Sequence, residues 1–182
     1  WKDGANRFKT GAFGNDFSNC ISLVGTGQEV DTGDGLVPVY PFMGVPARMH
    51  GLEQQGKWRL LDKGQTLALD GKLDLMRATH ESSGQPLPRI PPARVTLGMN
   101  GSLGDCSARA EVVHAAAQDR VPTDDPATPA YALVNRAASG ALRVRGADGS
   151  LFLRLDNVGM SWATTPRRSP RCDRWHRCPD AV

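Results

Sequence analysis

PAYALVNRAASGALRVRGADGSLFLRLDNVG, Pro129 to Gly159, is two runs of roughly alternating residues joined at GADGS. Asp148-Gly149 supplies the positive backbone angles that a tight turn between antiparallel strands requires, so the stretch predicts a β-hairpin. In the first arm Ala132, Val134, Ala138, Leu142 and Val144 share one parity, and Asn135, Ser139 and Arg143 share the other. In the second arm Leu151, Leu153 and Leu155 oppose Arg154 and Asp156. Successive side chains of a strand point to opposite faces, so the hairpin has one apolar and one charged face.

The same period of two runs through the rest of the chain. Ala5 to Gly25 reads as an extended segment carrying Phe8, Phe13 and Phe17, and TGQEVDTGDGLVP after it reads as a polar, Gly-rich loop. From Ala47 to Leu61, His50, Leu52, Trp58 and Leu60 oppose Glu53, Gln55, Lys57 and Arg59. LDKGQ turns the chain, and from Leu67 to Thr79 the leucines 67, 69, 73 and 75 oppose Asp70, Lys72 and Asp74. A loop stiffened by Pro86, Pro88, Pro91 and Pro92 follows. Ala93 to Leu103 and Cys106 to Ala117 alternate again across a short turn at Gly104-Asp105, and AQDRVPTDDPATP leads into the hairpin. The expectation is all-β: an antiparallel meander of about seven strands without an amphipathic helix.

Loop lengths separate two versions of that fold. Long connections follow the first, third and fifth strands, and short turns follow the second, fourth and sixth. A small soluble β-sandwich or lipocalin-like binding module has water at both ends and no reason for such strictness. An outer-membrane barrel has short turns on one rim and long loops on the other, with an apolar wall toward lipid and a polar wall toward the lumen. The strands are therefore expected to be of transmembrane type, forming an incomplete portion of a larger barrel. Mean hydropathy of -0.38 does not oppose this, because alternating strands average out on a hydropathy scale.

Composition narrows the chemistry. The net charge of +3 resides wholly in the last residues, where Arg167, Arg168, Arg171, Arg174 and Arg177 outnumber Asp173 and Asp180. The body is neutral, which removes the electrostatic footprint of a nucleic-acid binder. Cys20 and Cys106 sit singly in strand-like runs, as small apolar packers do. Cys172, His176 and Cys178 lack the paired spacing of a structural zinc site. The chain starts at Trp1, without a start methionine or a signal-peptide core, and reads as a piece of something longer.

Four segments in order resemble the C-terminal part of TonB-dependent outer-membrane receptors. They are FKTGAFGNDFSNCISLVGTG from Phe8, MHGLEQQGKWRLL from Met49, LPRIPPARVTLGM from Leu87, and YALVNRAASGALRVRGADGSLFLRLDNVG from Tyr131. The resemblance covers residues 5 to 159 and implies a large single-chain barrel with an N-terminal plug. It also implies location in the outer membrane, contact with its lipid, energy from the TonB complex, and uptake of a scarce nutrient such as a metal or a siderophore complex. LPRIPPAR and His114 to Val121 look most like the subgroup linked to zinc uptake. Without plug and final strand, such a segment is not expected to transport by itself. Two departures stand out: Arg136 lies on the lipid parity, and Gly140 occupies a position that is usually aromatic.

No catalytic, cofactor or metal constellation is apparent, so the chain is not expected to be an enzyme. The charged residues are read instead as a hydrated lumen wall: Glu53, Lys57, Arg59, Asp70, Lys72, Asp74, Arg109 and Glu111. His80 and His114 fall near the outer ends of upward strands, where an intact receptor could use them along a metal route. Two segments are expected: a barrel portion over 1 to 158 and a basic, disordered tail over 159 to 182. One codon choice for MSWATTPRRSPRCDRW, Met160 to Trp175, encodes NELGYNAASIATVRPV one base out of frame, in keeping with the family sequence. An out-of-frame tail would explain its sudden arginines.

Overall fold

A computed structural model describes residues 1 to 158 except 124, 145 and 146, with 144 described by its backbone only. The tail from 159 to 182, including Cys172, His176 and Cys178, lies outside the described residues, as do Asp124 and the residues that join the hairpin arms. The strands are β1 (Lys2–Asp3), β2 (Asn6–Leu23), β3 (Glu29–Asp31), β4 (Leu36–Pro38), β5 (Phe42–Asp62), β6 (Gln65–His80), β7 (Arg94–Leu103), β8 (Cys106–Ala115), β9 (Tyr131–Val144) and β10 (Ala147–Leu155).

Eight of them form one antiparallel sheet in the order β1-β2-β5-β6-β7-β8-β9-β10. Neighbours in sequence are neighbours in the sheet, apart from β3 and β4, which pair with each other inside the first long loop. The expected seven long strands are present, with β1 as a short edge ladder. The sheet is open, with its outer edges at β1 and β10.

Ladder register shows that parity holds between strands as well as along them. Leu52 faces Leu75, Trp58 faces Leu69, and Leu69 faces Met99. On the opposite face Glu53 pairs with Asp74, Gln55 with Lys72 and Lys57 with Asp70. No second layer covers the apolar face among the described residues: Leu97 and Leu103 are each 62% exposed, and Leu151 69%. A soluble sandwich would bury these leucines. β7 and β8, at 10 residues each, have the length of membrane-crossing strands.

Three details differ from the sequence expectation. Asp148-Gly149 is not the turn: Asp148 pairs with Arg143 and Gly149 with Leu142, inside the β9–β10 ladder. Arg143 Nε reaches Asp148 Oδ1 at 2.9 Å, a cross-strand ion pair that a turn at this point would forgo. The ladder leaves each side chain on its expected face, and Leu151, Leu153 and Leu155 lie opposite Gly140, Ala138 and Arg136. β5 begins at Phe42 rather than Ala47, because Pro46 occupies a register break where Phe17 pairs with Ala47 and Cys20 with Val45. Proline, which lacks an N–H, is tolerated at such a bulge. Third, the polar loop after β2 contains a ladder, Val30 against Val37, closed where Thr32 N donates to Gly35 O.

A small core lies at the long-loop end. Val45, Ala47, Ala78 and Leu87 are buried together, with Cys20, Val24, Met49 and Ile90 packed against them. Leu87 comes from the proline-rich loop, which folds back so that Leu87 N donates to Ala78 O at 3.1 Å. Arg120 of the next loop reaches the same strand end, donating to Ala78 O and to Thr79 Oγ1. The long loops therefore brace one end of the sheet.

Gly64, in the short β5–β6 turn, has φ of +69°. Gly64→Ala is expected to cost about 1 kcal/mol, because a Cβ disfavours that backbone region. Gly71→Ala, where an added Cβ meets only ordinary contacts, is expected to be near neutral. Urea unfolding of the detergent-folded chain measures both.

Candidate functional site

The charged face has an ordered centre. Asp70 lies on β6, Asn100 on β7, Arg109 and Glu111 on β8, and Asn135 on β9. Arg109 grips Asp70 with both ends of its guanidinium, Nη1 to Oδ1 at 2.8 Å and Nη2 to Oδ2 at 3.0 Å. The same Nη1 donates to Asn100 Oδ1 at 2.7 Å, and Asn100 Nδ2 returns a bond to Asp70 Oδ1 at 2.6 Å. Nη2 also donates to Glu111 Oε2. Asn135 Nδ2 donates to Glu111 Oε1 at 3.2 Å, and Asn157 N closes the chain of bonds on Asn135 Oδ1 at 3.0 Å.

Register explains why these groups meet. Asp70 is opposite Gly98, and Gly98 is opposite Glu111, so both carboxylates flank a residue without a side chain. Arg109 lies across that gap. A Cβ on Gly98 would stand 2.6 Å from Asp70 Oδ2 and 2.7 Å from Arg109 Nη2. The glycine is thus the floor on which an ion pair spanning three strands rests.

Of the eight wall residues expected from sequence, the structure joins Asp70, Arg109 and Glu111 directly. Glu53 and Asp74 face each other, Lys57 faces Asp70, and Lys72 lies between Gln55 and Thr96. Arg59 turns toward the short-turn end and pairs with Asp62 at 2.6 Å. All eight share one face of the sheet. Sequence reasoning missed the two asparagines and Gly98, although the parity of Asn100 and Asn135 already put them on this face. It also missed Arg7 and Lys9, because Phe13 and Phe17 share their face and blur the alternation of β2.

The arrangement suits a hydrated wall rather than catalysis. Both carboxylates of the network are occupied by one guanidinium, which leaves neither placed as a general base. His80 and His114 do not converge: His80 opposes Ala47 on the charged face, whereas His114 opposes Val95 and Ala132 on the apolar one. His80 Nδ1 is instead bonded to Ser83 Oγ at 2.9 Å. Among the described residues, no three His, Cys, Asp or Glu side chains gather as metal ligands.

The model of the TonB dependent receptor-like β-barrel family matches residues 1 to 158. The chain belongs to that family. Its members are outer-membrane transport receptors, not enzymes. Among solved structures, one similar to this TonB-dependent receptor segment is that of "Copper transporter OprC", with a TM-score of 0.69 and 18% identity over 86% of the chain. The segment spans 24% of that transporter's length. No curated protein matches the sequence.

Arg109→Met would leave Asp70 and Glu111 without their shared partner on a half-buried surface. A loss of about 1 to 2 kcal/mol is expected, between the values for exposed and buried pairs. Arg143→Met removes a pair in which both side chains are at least 80% exposed, and should change stability by less than about 0.5 kcal/mol. Parallel urea titrations compare the two.

Proposed function

We propose that residues 1 to 158 form part of the wall of a TonB-dependent receptor that imports a scarce nutrient across the outer membrane. The apolar face meets lipid, and Glu53, Lys57, Arg59, Asp70, Lys72, Asp74, Arg109 and Glu111 line the water-filled side. One observation carries this reading: a sheet whose leucine face is uncovered while its charged face is internally hydrogen-bonded. That combination suits a wall between hydrocarbon and water.

The apolar face also has a border. Toward the long loops, Arg48 pairs with Asp16 at 2.7 Å and with Glu81 at 2.9 Å, and His50 lies opposite Arg77. Leu52 opposite Leu75 is the first apolar pair beyond them. We place the edge of the hydrocarbon there, with the long loops outside the cell. In the intact receptor the partners are the TonB energy-transducing complex and a metal or metal complex. The LPRIPPAR and HAAAQDRV segments favour the zinc-uptake subgroup. For residues 159 to 182 we infer a separate basic tail read out of frame, which the nucleotide sequence tests.

Arg136 breaks the wall. It interrupts the row formed by Trp58, Leu69, Met99, Ala110 and Leu155. A lipid-facing arginine costs about 2 to 4 kcal/mol at the membrane centre and little at the rim. Arg136→Leu is therefore expected to stabilise the chain in liposomes, by up to about 2 kcal/mol, while changing little in urea-free detergent spectra.

Spin labels test the wall itself. With other cysteines replaced, labels at Leu73→Cys should relax with oxygen, and labels at Lys72→Cys and Asp74→Cys with a water-soluble nickel chelate. Equal nickel accessibility at all three positions in liposomes would overturn the reading.

A further inference from the structure

One row of the charged face departs from balance. Lys2 of β1 is opposite Arg7 of β2, and Arg7 is opposite Lys57 of β5. Like charges placed directly across a ladder repel each other. Lys9 and Lys72 lie one step farther along the same face, on either side of Gln55. None of these five cations stands in an ion pair among the described residues. Asp70, the carboxylate opposite Lys57, already has both oxygens engaged by Arg109 and Asn100.

These five side chains line a recess of about 560 Å³, together with Asp70 and Arg109. That volume falls within the range of small-molecule sites, from about 300 to 1,000 Å³. Carboxylates fence it on two sides. The Asp70–Arg109–Glu111 network closes one flank, and Glu53 opposite Asp74 lies beyond Lys9 and Lys72. An extended acidic polypeptide crossing the recess would meet both sets of carboxylates, whereas a compact anion between Arg7 and Lys57 would meet the cations and only one carboxylate, Asp70, whose oxygens Arg109 and Asn100 already hold.

We propose that this recess binds a small multivalent oxyanion, a phosphate or a polycarboxylate, held chiefly by Arg7 and Lys57. Arg7 offers a planar fork that matches two oxygens of one anionic group, and Lys57 a point charge beside it. Lys2, Lys9 and Lys72 supply the surrounding field. The inference needs the charged face to be open to water, as the wall reading has it, but not the identity of the transported nutrient.

Calorimetric titration of the detergent-folded chain at low salt, with inorganic phosphate and separately with citrate, tests it. Saturable binding of either is expected, weakened at least tenfold by the paired change Arg7→Gln and Lys57→Gln and unchanged by Arg143→Gln. Circular dichroism of each variant verifies folding, and Lys57→Gln alone, expected to weaken binding severalfold, serves if the double variant does not fold. Equal affinity in wild type and folded variants would overturn the proposal. So would binding of a hexaglutamate peptide where neither phosphate nor citrate binds. The spin-label pattern at positions 72 to 74 reports the wall independently, so loss of one reading is distinguishable from loss of the other.

Discussion

In hydrocarbon, a strand has only its neighbours to satisfy its backbone N–H and C=O groups, and each group left unpaired costs several kcal/mol. The long ladders of β2, β5 and β6 and the neighbour pairing from β1 to β10 would meet that demand. Between the two edges, β1 and β10, each strand of the sheet is held by two neighbours, and its side chains are sorted by pleat alone. The uncovered leucines and the bonded charges are the two outcomes of that sorting.

The polar face shows how little space such a wall leaves for specific chemistry. Its ordered centre exists because Gly98 has no side chain, which lets Arg109 reach Asp70 across β7. The same face carries a stack of cations at its β1–β5 side, Lys2, Arg7 and Lys57, that forms no ion pair among the described residues. The long-loop end is organised differently, by Leu87 and Arg120 folding back onto Ala78 and Thr79. Three kinds of surface therefore share one sheet: an uncovered apolar face, a charged face and a loop-braced rim.

Where sequence reading misplaced a feature, the reason is the same each time: it depended on a partner strand. Pro46 looks like a strand terminator, yet the bulge opposite Phe17 and Cys20 accommodates it. Asp148-Gly149 looks like a turn, yet Arg143 across the ladder holds Asp148 in the strand. Val30 and Val37 look like loop residues and pair only because Gly33 and Gly35, with positive φ, bring them together. β2 hides its alternation because aromatic side chains fall on the charged side.

The sequence by itself determined the all-β class, the seven long strands, the face of nearly every side chain and the family, because a pleat repeats every two residues and can be read locally. It also assigned the eight wall residues to one parity. Only the tertiary structure decided which of them meet. Asp70 and Arg109 are 39 residues apart, and their contact depends on the registers of two ladders and on a glycine between them. Parity is a property of one strand, whereas register belongs to pairs of strands and is fixed by where turns close and bulges fall.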